Sequence, residues 1–128
     1  MSYLPIVLKG AGVFAMVMGT LNTIIPTRMI SNTSKDVYSP QTPAQILADS
    51  HLRYWAGVWA STGAIFWWAS NDLAARRVPV ELVGWGYVFG GIGRVISGMK
   101  YGYKPEGLVK TITAIEIVAP IAIWCLLP

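Results

Sequence analysis

The chain has 128 residues, of which 54% are hydrophobic and only 12% charged, with a mean hydropathy of +0.50. An ordinary soluble domain is roughly 25% charged, and a soluble protein this small lacks the interior volume to hide so much apolar surface. The composition predicts a single-domain, all-α integral membrane protein. The net charge of +4, carried mostly by predicted loops, reads as membrane-surface and topology charge and argues against nucleic-acid binding.

In chain order, the first apolar helix is expected over about 5–26. It is uncharged from Gly10 to Thr27, and Lys9 is close enough to its end to snorkel. About 20 residues suffice to span a bilayer core. No small-residue cleavage site follows convincingly, so the segment is read as retained and not as a signal peptide. Pro26 ends it, and a polar loop follows over 27–42. Thr42-Pro43-Ala44-Gln45 then predicts a capped start for a second helix over about 43–70. A polar turn (Asn71-Asp72, then Arg76-Arg77-Val78-Pro79) leads to a third helix over 79–99. A basic Gly- and Pro-containing loop leads to a fourth over 108–127, with Glu116 inside it and Pro120 as a kink. Short connections imply an antiparallel four-helix up-down bundle.

Four residues within or beside these apolar runs are ionisable: Asp49, Arg53, Arg94 and Glu116. A charge at the centre of a membrane helix costs about 2.5–3.5 kcal/mol even on lenient insertion scales, so such residues face a protein interior or wet cavity and pair. Helix 1 ends, helix 2 begins, helix 3 ends and helix 4 begins on one side of the membrane. Asn22, Asp49, His51, Arg53 and Arg94 lie near those ends, and Glu116 lies about 12 Å in. All are expected in one connected polar layer, while Glu81, Arg76 and Arg77 belong to the other side. Cys125 is the single cysteine, which excludes an intrachain disulfide and a cysteine-based metal cluster. His51 is the lone histidine, so no multi-histidine metal site is expected.

The order of features is also informative. A polar loop leads into Ala-Asp-Ser-His-Leu-Arg-Tyr-Trp-Ala-Gly at 48–57. After an apolar helix and a basic turn comes Phe-Gly-Gly-Ile-Gly-Arg-Val-Ile-Ser at 89–97, and the final helix carries Glu116. This pattern resembles a small four-helix membrane family catalogued as domain of unknown function 4345, over roughly Gly19 to Leu127. The resemblance implies a four-helix membrane fold and no particular activity. Small membrane proteins that hydrolyse or cyclise epoxides in fungal natural-product pathways offer an analogy of size and setting only.

Asp49 and Arg53, four apart, share a helix face. They form either an interface salt bridge or an acid/base group whose charge the arginine balances. Gly86, Gly90 and Arg94 form a stripe that either admits a neighbouring helix or leaves room for a ligand. The glycine-rich run is not a nucleotide loop, because no strand precedes it. Glu116 must pair with Arg94 or Arg53, or act as a general acid opposite Asp49. Trp67, Trp68, Tyr101 and Tyr103 read as interfacial anchors, and Trp55, Trp59 and Tyr87 as pocket walls.

The expected function is a cofactor-independent membrane enzyme that opens an epoxide by hydrolysis or cyclisation, or isomerises a lipophilic substrate. Glu116 would protonate the departing oxygen and Asp49 would activate the attacking group. Arg53 and Arg94 would stabilise negative charge, while Asn22, Tyr54, His51 and Gly90 would contact substrate. The alternative is a non-enzymatic transporter subunit, lipid-binding module or assembly factor. The expected partners are a lipophilic molecule and membrane lipid, with no metal and no nucleic acid, and a homo-oligomer is compatible. The expected location is a multi-pass membrane position, the endoplasmic reticulum if the source is eukaryotic. The distribution of Arg28, Lys35, Lys100, Lys104 and Lys110 against Lys9, Arg76 and Arg77 places the polar layer in the cytosol, and a glycan at the Asn32 sequon would reverse that.

Overall fold

A computed structural model describes residues 3–25, 42–103 and 106–128. Pro26, the expected loop with Arg28, Lys35 and the Asn32 sequon, and Lys104 lie outside them. The described residues form four helices: α1 (Leu4–Ile24), α2 (Pro43–Ala69), α3 (Arg77–Tyr101) and α4 (Glu106–Leu126). No strand is present among them.

The helix ends follow from local chemistry. At the start of α2, Gln45 N donates to Thr42 Oγ1 at 3.3 Å and Thr42 N donates to Gln45 Oε1 at 3.1 Å, with Pro43 in the first turn. This reciprocal cap satisfies two N–H groups that the helix cannot. Before α3, Asp72 accepts from Ala75 N at 3.2 Å through its side chain and from Arg76 N at 3.1 Å through its carbonyl. The far end of α3 stops at Gly102, whose φ of +82° suits a residue without Cβ and whose N–H reaches Gly98 O at 2.9 Å. The fourth helix starts two residues earlier than expected. Its first turn carries Glu106, favoured at a helix N-terminus and ion-paired to Lys110 one turn on. Pro120 is held inside α4 without ending it.

The chain forms two compact units. In the first, Ile6–Ser70, α1 and α2 run antiparallel with their backbones in contact. A Cβ on Gly12 would lie 2.6 Å from Gly63 O, and one on Gly63 would lie 2.6 Å from Gly12 O. A Cβ on Gly19 would lie 2.6 Å from both Ala56 O and Ala60 N. Small residues on both helices allow this approach, where dispersion is the main attraction. Beside the seam, Phe14 meets Trp59 edge to face at 5.8 Å, and the Lys9 ammonium lies 6.0 Å from the Trp67 ring.

The second unit is Asn71–Pro128 with Met1–Pro5. Here α3 and α4 pack through Gly84 and Gly91, seven residues apart. A Cβ on Gly84 would lie 2.8 Å from Trp124 Nε1, and one on Gly91 2.6 Å from Ile117 Cγ1, while the Tyr103 ring lies directly on Gly98. Trp85 stacks at a tilt on Trp124, 4.7 Å between centroids. Packing against a helix was one of the two readings of the Gly86–Gly90–Arg94 stripe. Within 4 Å of a Cβ built on Gly86, Gly90 or Gly93 there is nothing. The face that does pack is turned by about 130° round the helix, at about 100° per residue.

Both ends of the chain are apolar on the outside. In α1, Ile6, Val13, Phe14 and Val17 are exposed; in α3, Leu82, Phe89 and Ile96; in α4, Ile115, Val118 and Ile121. Two helices, α1 and α4, are long and apolar enough to cross a membrane by length and composition.

Candidate functional site

The four ionisable residues singled out above are brought together as two pairs, one in each unit. In the first, Arg53 Nε donates to Asp49 Oδ2 at 2.8 Å and Nη2 reaches Oδ1 at 3.5 Å. Arg53 Nη1 crosses to α1 and donates to Thr23 O at 2.9 Å and Ile24 O at 3.2 Å. The last carbonyls of a helix have no partner within it, and a cation there also meets the negative end of the helix dipole. Arg53 therefore ties the start of α2 to the end of α1, and Asp49 holds the guanidinium in place. Arg53→Leu should lower stability by about 2 kcal/mol, because it uncaps α1 and removes a half-open ion pair. Asp49→Asn keeps an acceptor and should cost about 1 kcal/mol. Equal losses in thermal unfolding of the purified variants would show that the cross-helix bonds contribute nothing.

In the second pair, Arg94 Nε donates to Glu116 Oε2 at 2.8 Å, joining α3 to α4. Of the two partners left open for Glu116, it takes Arg94. The Glu116 side chain is largely covered, at 16% exposure, and the Arg94 side chain is half open, at 47%. Gly91 makes the approach feasible: a Cβ there would meet Glu116 Cβ at 3.4 Å and crowd Ile117. Sequence reasoning missed Gly91 as the residue that seats the carboxylate. The signal was the seven-residue spacing of Gly84, Gly91 and Gly98.

Asn22 is buried, at 4% exposure, and its Nδ2 has no hydrogen-bond partner among the described residues. The antiparallel contacts of Gly12 with Gly63 and Gly19 with Ala56 bring it level with Arg53 on α2. The remaining expected contact residues fall in both units. Tyr54 and Trp55 are exposed and meet each other edge to face at 5.6 Å. His51 is exposed on α2, Trp59 is half-buried against Phe14, and Tyr87 is half-buried on α3. Gly90 faces open space one turn from Arg94. Among the described residues no group of three His, Cys, Asp or Glu side chains could hold a metal ion.

The class this defines is a small all-helical protein, apolar on its outer faces, whose helix pairs are seamed by small residues and pinned by arginine side chains. The chain belongs to the family described as Domain of unknown function (DUF4345), whose model matches residues 3–127. No curated protein and no solved structure matches it.

Proposed function

We propose that the protein is a multi-pass membrane enzyme performing cofactor-independent acid/base chemistry on a lipophilic substrate, with Glu116 and Arg94 as its reacting pair. The observation that carries this reading is a covered carboxylate bonded to a guanidinium whose outer face is open, within helices that present apolar side chains outward. Epoxide opening fits such a pair. Glu116 as the acid gives its proton to the epoxide oxygen as the C–O bond breaks. Water or an internal hydroxyl attacks the carbon and returns its proton to the Glu116 carboxylate, which restores the acid. Arg94 stabilises the charge that develops on oxygen and holds the Glu116 side chain in place. Isomerisation uses the same proton exchange without an attacking group. In this reading Asp49 and Arg53 act as a brace.

The test is turnover of a panel of long-chain epoxides by the purified protein in nanodiscs, with products read by mass spectrometry. Glu116→Gln should reduce turnover by about 10²–10⁴-fold while the variant still inserts and purifies. A folded Glu116→Gln protein of undiminished activity would end the proposal. A non-enzymatic lipid-binding or assembly role is favoured by one observation: the paired backbones touch, which leaves little room for a substrate or a conduit between α1 and α2. A folded protein that binds lipid without epoxide turnover would select that reading.

A further inference from the structure

We draw no further inference here: the strongest candidate, the buried Asn22 side chain near the C-terminal end of α1, has an Nδ2 without a hydrogen-bond partner among the described residues, and nothing among them shows what group would accept its N–H.

Discussion

Gly63→Leu should abolish the pairing of α1 and α2, with a loss of about 3 kcal/mol or more in unfolding free energy measured in mild detergent. Overpacking a well-filled core costs about 1–3 kcal/mol when side chains can move aside. Here the first atom met is a backbone oxygen, Gly12 O at 2.6 Å, and backbone cannot rotate away. Alanine at Gly12, Gly19 or Gly63 should cost toward the top of the same range. Alanine at Gly86, where nothing lies within 4 Å, should be neutral or gain about 0.5–1 kcal/mol from lower backbone entropy in the unfolded chain. Equal effects at Gly63 and Gly86 would show that the α1–α2 seam does not form as described.

The second large effect concerns the Arg94–Glu116 pair, and its size reports the medium around it. In water a pair with a half-open guanidinium is worth about 0–1 kcal/mol. In a bilayer the surface left open by α3 and α4 meets hydrocarbon, and either single replacement strands a charge there. Glu116→Leu and Arg94→Leu should then each cost about 3–5 kcal/mol, and the double variant less than their sum. A coupling energy below about 1 kcal/mol in lipid nanodiscs would mean that the pair is solvated, and would count against a membrane position for this end of the helices.

The helices were legible because their signals are local. The Thr42–Gln45 cap, Pro43, the polar turn at Asn71–Asp72 and the uncharged runs are each readable within a few residues. The expected bounds of 43–70 and 79–99 lie within two residues of α2 and α3. The pairing of Asp49 with Arg53 was legible for the same reason, since four residues make one turn. The rest depended on distant backbone. Arg53 earns its bracing role from carbonyls 29 and 30 residues away, which no side-chain pattern reveals. Helix α3 carries two stripes of small residues, Gly84–Gly91–Gly98 and Gly86–Gly90–Gly93, and composition alone does not rank them. The choice is made by α4, which offers Trp124 and Ile117 at the spacing of the first stripe, and by Tyr103, held on Gly98 by the turn. Which arginine takes Glu116 was equally a matter of register between α3 and α4.

The spacing of those seams has a geometric consequence. Contacts recur every seven residues, from Gly12 to Gly19, from Ala56 to Gly63 and from Gly84 to Gly91. A seven-residue period is slightly shorter than two turns of a straight helix, so partners that keep it wrap around each other with a left-handed twist, crossing at about +20°. A four-residue glycine period would favour a crossing near −40°, from which the helices splay apart. Gly84 and Gly91 are separated by about 10 Å along the axis, a third of a hydrocarbon core of about 30 Å. Over those two turns α3 and α4 keep the same faces together.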